Sequence, residues 1–159
     1  MQSHRGFTLV EVIVVVAIIS ILAMMAIPYG EVLTTRQQEI ELRQNLREVR
    51  NAIDEFHADW KTGKMTTMNS IASQEGYPRS LQALVDGVDQ GTNAGNRRFY
   101  LRRIPRNPFA DQSLPRDQQW SYRGYQDAPT AQTWNGQDVY DVKFISDRKA
   151  LDGSDYAQW

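Results

Sequence analysis

The sequence predicts an α+β fold in which a long N-terminal helix, transmembrane in its first half and amphipathic in its second, packs on a small C-terminal antiparallel β-sheet. Three features predict this fold: an apolar run over residues 7–27, a helical stripe of apolar residues over residues 40–60, and two strand-like segments near the C-terminus. The length of 159 residues suffices for one domain plus an anchor. A formal net charge of -1 indicates no partner, and the lack of Cys excludes a disulfide framework and a thiol nucleophile.

The first element is the apolar run from Phe7 to Ile27, which one ionisable residue, Glu11, interrupts. As a helix it would span roughly 31 Å, close to the thickness of about 30 Å of a bilayer's hydrocarbon core. We therefore expect it to cross a membrane. A carboxylate within such a helix costs about 2.5 to 3.5 kcal/mol or more unless it has a partner, so Glu11 suggests a role in assembly. The alternative is a generic anchor in which Glu11 snorkels to the headgroups.

The second element is an amphipathic helix from Glu31 to Lys61 that continues the first. The last six of its apolar residues, from Leu42 to Trp60, recur at alternating gaps of four and three, which describes one helical stripe. The stripe runs through Ile40, Leu42, Leu46, Val49, Ile53, Phe56 and Trp60. Pro28 and Gly30 predict a kink or a locally unwound turn between the two halves. A coiled coil is the alternative, but the stripe lasts only about three heptads and ends in bulky residues, which favours packing on a sheet.

The middle of the chain predicts loops around one short helix. A polar loop extends from Lys64 to Gly76, and Ser80 is placed to cap a short helix that ends by Gly87. Small polar residues and glycines predict a mobile connector over residues 86–96. The two prolines in residues 104–109 favour an extended turn and argue against a central strand there.

The last regular elements are two strands, Gln119 to Tyr125 and Asp138 to Ser146. Both are rich in aromatic or β-branched residues, and a loop with Pro129 and Gly136 separates them. They predict a small antiparallel sheet that covers the helical stripe.

The C-terminal loop over residues 146–156 concentrates three aspartates with serines and a glycine. Calcium is a candidate ligand because it takes six to eight oxygens from carboxylates, carbonyls and water. Arg148 and Lys149 would oppose a cation, so a plain Asp-Gly turn with solvated acids is the alternative.

The sequence predicts no enzymatic activity. His57 is the single histidine outside the N-terminal leader, so no nucleophile, base and oxyanion donor can be proposed together. With one histidine and no cysteine, the chain also lacks the usual ligands of a zinc site. Five arginines surround Phe99 and Tyr100, which would suit a nucleic acid, but the acidic remainder of the domain cancels their charge. The sequence therefore argues against nucleic acid as a partner.

The N-terminal motif Arg5-Gly6-Phe7-Thr8-Leu9-Val10-Glu11, followed by the apolar run and Pro28, resembles the type IV pilins and the pseudopilins of type II secretion. The resemblance implies that a prepilin peptidase cuts between Gly6 and Phe7 and N-methylates Phe7. It makes Glu11 the fifth mature residue, where the family places the acid needed for assembly, and it makes Phe7, Glu11 and Pro28 the assembly residues. The implied organisation is a leader over residues 1–6, a transmembrane and assembly helix over residues 7–30, and a periplasmic pilin-like domain over residues 31–159.

The resemblance extends into the predicted domain and favours the major pseudopilins. These proteins also have a tyrosine-proline turn before a short helix, as at Tyr77-Pro78, and a later hydrophobic-proline segment, although Asn107 stands here where Asp is usual. They bind calcium in a loop at this point of the chain. The resemblance therefore implies five candidate calcium ligands in the C-terminal loop, namely Asp147, Leu151, Asp152, Ser154 and Asp155.

The function that the resemblance implies is that of a structural subunit of a type II secretion pseudopilus, which drives protein export across the outer membrane. Its implied partners are further copies in a helical filament, minor pseudopilins, an inner-membrane assembly platform, the prepilin peptidase and membrane lipid. The chain would be a single-pass inner-membrane protein that assembles into a periplasmic or surface filament. The alternatives are a type IV pilus subunit for adhesion, motility or DNA uptake, and a membrane-tethered binding module that never polymerises, with the loops from Gln74 to Asn96 contacting cargo.

Overall fold

The structure is a computed structural model that describes residues 6–65, 71–91, 96–131 and 133–159, with only the backbone described for residues 25–29. The predicted leader thus lies, except for Gly6, outside the described residues, as does part of the predicted loop that follows the long helix. The chain divides into two compact units, Met1–Gln37 and Gln38–Trp159. The predicted fold class is confirmed: a long N-terminal helix precedes a small region of antiparallel strands.

The long helix, α1, comprises Leu9–Lys61. Helical backbone continues through Pro28 and Gly30, so the predicted unwound turn is wrong, whereas a kink there stays a prediction. A proline in a helix interior removes one hydrogen bond of the ladder, and the flanking residues here keep the helical conformation on both sides. In the first unit, the described apolar side chains of α1 are exposed. Among the described residues, no helix combines the length and the apolar character needed to span a membrane. The membrane crossing of residues 7–27 stays a prediction.

In the second unit, the predicted stripe of α1 lies in the hydrophobic core. Five of its residues are almost completely buried, namely Leu42, Leu46, Val49, Ile53 and Phe56. Trp60 packs against the core from its edge. Ile40 was wrongly assigned to the stripe, because its side chain is 59% exposed. At 100° per residue it points about 200° away from Leu42, which is nearly the opposite face of the helix.

The predicted short helix is confirmed as α2, Leu81–Asp86. The Ser80 Oγ accepts a hydrogen bond from the Ala83 N–H (N···O 3.4 Å), and Gly87 ends the helix at φ 76°. A Cβ at position 87 would lie 2.7 Å from the Phe99 ring and 2.9 Å from the Arg98 carbonyl oxygen. Glycine therefore suits this position both in conformation and in space.

The predicted connector over residues 86–96 is partly structured, which corrects the sequence-based interpretation. Val88–Asp89 forms β1 and pairs antiparallel with Arg97–Arg98, β2, with Val88 opposite Arg98. Two-residue strands are too short to produce an alternating pattern, so the small polar residues between them dominated the prediction. Residues 92–95 lie outside the described part of the chain.

The second sheet confirms the positions of both predicted C-terminal strands but shortens them. Ser121–Arg123, β3, pairs antiparallel with Asp141–Lys143, β4. The ladder ends after Arg123 because the next main-chain N–H groups donate to side chains instead: Gly124 N–H to Asp127 (2.7 Å) and Tyr125 N–H to Asp138 (2.9 Å). Two short 3-10 helices, Arg116–Gln119 and Tyr156–Gln158, complete the described elements.

Candidate functional site

The predicted processing site lies in an open, non-helical segment. Gly6, Phe7 and Thr8 have no regular secondary structure, and the Phe7 side chain is 81% exposed. Among the described residues other than its neighbour in the chain, none has an atom within 4 Å of the position of a Cβ on Gly6. The Gly6–Phe7 peptide bond is thus accessible, as cleavage by a peptidase would require.

Thr8 determines where α1 begins, two residues later than the apolar run suggests. The Thr8 Oγ1 accepts a hydrogen bond from the Glu11 N–H (3.3 Å), and the Thr8 carbonyl accepts one from the Val12 N–H (3.2 Å). Thr8 is therefore the N-cap, and Glu11 occupies the third helical position.

The Glu11 carboxylate is exposed and, among the described residues, has neither a hydrogen bond nor an ion pair. Its place in the first turn is favourable for a negative charge, since the positive end of the helix dipole contributes about 0.3 to 1 kcal/mol there. This interaction with the helix dipole explains locally why an acid suits position 11. It nevertheless leaves the carboxylate oxygens of Glu11 available for a cation outside the chain. Of Pro28, the third residue predicted to act in assembly, only the helical backbone is described.

The predicted calcium ligands are separately engaged in the C-terminal loop. The Asp152 carboxylate accepts hydrogen bonds from the Ser154 hydroxyl and N–H and from Arg43 (Nη2···Oδ2 3.1 Å), all of which lower the pKa of Asp152. The Asp155 carboxylate pairs with Lys149. Asp147 is exposed and has no such partner among the described residues.

The two remaining candidate calcium ligands, Leu151 and Ser154, form hydrogen bonds with other residues of the chain. The Leu151 N–H donates to Glu39 Oε1 (2.7 Å), and the Ser154 Oγ accepts a hydrogen bond from Trp159 Nε1 (2.8 Å). Among the described residues, no three His, Cys, Asp or Glu side chains converge in a way that could hold a metal ion. The residues as placed do not form an oxygen cage, and calcium would have to displace Lys149 and Arg43 from their acids. Calcium binding stays a prediction.

Sequence reasoning missed three charged side chains of α1 that bind other parts of the second unit. Glu39 accepts hydrogen bonds from the Leu151 N–H and from the Tyr156 hydroxyl (3.0 Å). Arg50 donates to Asp141 Oδ1 (2.7 Å) and to the carbonyl oxygens of Val142 (3.1 Å) and Trp159 (2.6 Å). The third is Asp59. Glu39 and Asp59 could have been found, because Glu39 lies three residues before the stripe residue Leu42 and Asp59 three residues after Phe56, so both fall on the buried face of the helix.

Asp59 is a buried acid at the centre of a charge network at the end of α1. Its side chain is 5% exposed and accepts hydrogen bonds from Arg98 Nη1 (2.7 Å), Gln90 Nε2 (2.9 Å), Tyr100 Oη (3.0 Å) and Lys64 Nζ (3.3 Å). Burial opposes its ionisation, but these hydrogen bonds and the nearby positive charges outweigh burial, so the pKa of Asp59 is lowered. Burial and the Asp59 carboxylate in turn raise the pKa of Tyr100. The network holds the β1–β2 hairpin to α1.

Comparison with known proteins shows relatives of two kinds. Residues 1–27 match the prokaryotic N-terminal methylation motif. The chain is 35% identical over 95 residues to the type IV major fimbrial protein FimA of Dichelobacter nodosus, a match that covers 57% of this chain and 61% of that protein. It is 29% identical over 118 residues to the type II secretion system core protein G of Vibrio cholerae serotype O1, which covers 70% of this chain and 69% of that protein.

The match thus spans less than two thirds of the length of the fimbrial protein. No solved structure matches the chain significantly. The methylation motif, the two relatives and the long helix that precedes a small antiparallel region agree with one another. Together they support a relationship of this chain to the type IV pilins and type II secretion pseudopilins.

Proposed function

We propose that this protein is a non-enzymatic structural subunit of a type II secretion pseudopilus, which polymerises through its N-terminal helix. The observation that carries the proposal is the exposed Glu11 carboxylate, which has no partner among the described residues and lies one helical turn after the predicted new N-terminus at Phe7. The similarity to a fimbrial protein and to a secretion core protein supports a filament subunit in either case.

Cleavage between Gly6 and Phe7 creates an ammonium group on Phe7. The Glu11 carboxylate of an incoming subunit neutralises the Phe7 ammonium of a neighbour in the filament. Either charge alone costs about 2.5 to 3.5 kcal/mol or more in lipid, so a pair that leaves lipid contact together removes two penalties at once. This gives the assembly step a driving force that depends on one acid and one new terminus.

The first unit offers the surface that such a filament needs. Apolar side chains on all faces of α1 from Leu9 to Met24 are exposed in the isolated chain. A bundle of these helices would bury them, with small residues allowing close approach. In this arrangement the chain is held in the inner membrane, with its C-terminal domain in the periplasm, until the assembly platform adds it to a filament together with minor pseudopilins.

The test is the replacement Glu11→Ala, with Glu31→Ala as the matched control because Glu31 is an exposed acid on the same helix. We expect Glu11→Ala to insert and to be processed at Gly6, as shown by the mass of the mature N-terminus, but to give few filaments in a shearing assay. The control should give filaments at the wild-type level. A normal filament yield from Glu11→Ala would refute the pairing.

Crosslinking distinguishes a filament subunit from the alternative, a monomeric membrane-tethered binding module. Because the chain contains no Cys, a single cysteine introduced at Val16 reports only on contacts between copies of α1. A filament predicts disulfide-linked dimers in native membranes, and a second cysteine on the opposite face predicts ladders. Monomers alone would support the tether.

A second experiment, deletion of the gene, distinguishes a secretion pseudopilus from a type IV pilus. The absence of Cys, the tyrosine-proline turn before α2 and the acidic C-terminal loop favour the pseudopilus, whereas the 35% identity to a fimbrial protein favours the pilus. Deletion of the gene should abolish export of secreted enzymes in the first case. In the second case it should abolish surface fibres or movement and leave export unchanged.

A further inference from the structure

A polar cleft of about 430 Å³ lies in the second unit between the segment before α2 and the loop that joins β3 to β4. Its walls carry the amide side chains of Gln74, Gln126 and Gln137 and the charged side chains of Glu75, Arg79 and Asp138. The volume falls within the range of about 300 to 1,000 Å³ typical of small-molecule sites. Its polar lining indicates a ligand that forms many hydrogen bonds.

Asp138 is the buried acid of this cleft. The residue is 3% exposed, and its Oδ1 accepts a hydrogen bond from the Tyr125 N–H (2.9 Å). No other hydrogen bond or ion pair to this carboxylate is seen within the described residues. A carboxylate offers about four acceptor positions, so most of the hydrogen-bonding capacity of Asp138 is unused by the chain.

Two exposed aromatic rings are tied to the same residue. Tyr125 is 50% exposed, and its ring stacks on Tyr77 at a centroid distance of 5.3 Å. Trp134 is 38% exposed, and its Nε1 donates to the Asp138 carbonyl oxygen (2.6 Å). Both rings are thus held in place by packing or hydrogen bonds while a large part of each stays open to solvent. Neither ring is among the residues that line the cleft, but Tyr125 directly precedes the lining residue Gln126, and both Tyr125 and Trp134 donate a hydrogen bond to Asp138, which lines it.

The chemistry of the cleft selects the class of ligand. Each glutamine amide both donates and accepts hydrogen bonds, as a sugar hydroxyl does, and the carboxylates add strong acceptors. Two acids and one arginine leave the lining with a net charge of about -1, which disfavours an anion. A sugar ring also has a C–H face that packs on an aromatic ring. We propose that this cleft binds a neutral saccharide, with its hydroxyls on Gln126, Gln137 and Asp138 and its apolar face on Tyr125.

This proposal is independent of the filament, because every group that it uses lies within the second unit. It is tested on the full chain in micelles of a detergent without a sugar headgroup, since such a headgroup would compete for the cleft. The probes are glucose, galactose, N-acetylglucosamine, lactose and chitobiose, with N-acetylneuraminic acid as the anionic comparison. Binding is followed by saturation-transfer NMR and by tryptophan fluorescence.

We expect at least one neutral probe to bind saturably. The double variant Gln126→Ala/Gln137→Ala should weaken it by roughly tenfold or more, because two hydrogen bonds are lost. Gln118→Ala is the matched control, as Gln118 is an exposed glutamine outside the cleft lining. Tyr125→Phe should bind like the wild type because it keeps the ring, whereas Tyr125→Ala should bind more weakly. Unchanged thermal melting of the glutamine variants shows that they fold.

Three results would overturn the proposal. One is the absence of saturable binding of any neutral probe up to roughly 50 mM, well above the millimolar affinity of a weak specific ligand. Another is binding that the double variant and Gln118→Ala change equally. The third is a preference for the anionic probe.

Discussion

Asn107→Asp should make the stability of this protein depend on pH in a way that the wild type does not. Asn107 is completely buried, and its amide nitrogen donates to the Gln119 carbonyl oxygen (3.1 Å) while its Oδ1 accepts from the Phe109 N–H (3.0 Å). Main-chain groups thus demand one donor and one acceptor from the same side chain. An asparagine meets both demands, whereas an ionised aspartate can only accept.

The cost follows from these contacts. In the variant at neutral pH, the Gln119 carbonyl loses its donor and faces a carboxylate oxygen. A buried polar group without a partner costs about 1 to 3 kcal/mol, and the buried charge adds to this. We expect the free energy of unfolding to fall by about 3 kcal/mol at pH 7. Burial and the facing carbonyl should raise the pKa of the new carboxyl group above about 3.9, its value in the unfolded chain.

The sign of the pH dependence follows from that raised pKa. The folded variant binds its proton more tightly than the unfolded chain, and the protonated acid can donate to Gln119 as the amide did. The lost stability should therefore return below about pH 4 and disappear again as the pH rises through the folded-state pKa. Urea unfolding of the variant and of the wild type, followed by tryptophan fluorescence at several values of pH between 4 and 7, measures the difference.

The matched control is Asn135→Asp. Asn135 is exposed, and its Oδ1 accepts a hydrogen bond from the Gln137 N–H (2.9 Å), which an aspartate retains. This variant should stay within about 0.5 kcal/mol of the wild type. A loss of stability in Asn107→Asp that is the same at pH 4 and pH 7, or no loss at pH 7, would refute the reasoning.

Three further predictions follow from single contacts. Asp59→Asn should lower the free energy of unfolding at pH 7 by about 2 kcal/mol, because the hydrogen bond between the buried Asp59 and the partly exposed Arg98 loses the negative charge of its acceptor. As the pKa of Asp59 is lowered on folding, the wild type should lose this advantage below about pH 4, and equal stability of the two proteins at pH 7 would contradict the prediction. Gly87→Ala should cost more than about 1 kcal/mol in the same assay, since the new Cβ meets Phe99, and a stabilised variant would contradict it. Calcium binding would raise the melting temperature, and Lys149→Ala should increase this rise by removing the competing cation; no effect of calcium on either protein would exclude the site.

The features that were predictable from the sequence depend on neighbours along the chain. The period of the stripe from Leu42 to Phe56 determined which face of α1 is buried, and Ser80 with Gly87 determined both ends of α2. The N-terminal motif, with Phe7 and Glu11 at its centre, indicated the family before any fold was known. In each case the relevant contacts join residues a few positions apart, and helical geometry repeats over that distance.

Asn107 shows the limit of such reasoning. In the sequence it is a departure from the aspartate that is usual in similar proteins, and only the structure supplies its reason, the Gln119 carbonyl that needs a donor. The C-terminal loop shows the same limit, because nothing local predicts that Arg43 pairs with Asp152, 109 residues away. The β1–β2 hairpin likewise depends on Asp59 of α1, to which Arg98 and Gln90 bind.

The sequence by itself therefore determined the long helix, its buried face, the capped short helix and the processing motif. Tertiary structure alone decided which charges pair, which acids of the C-terminal loop are engaged, and that a polar cleft lined by Gln126, Gln137 and Asp138 forms. The physical reason is that periodicity and capping act within one or two helical turns, whereas an ion pair or a cleft joins side chains that only folding brings together.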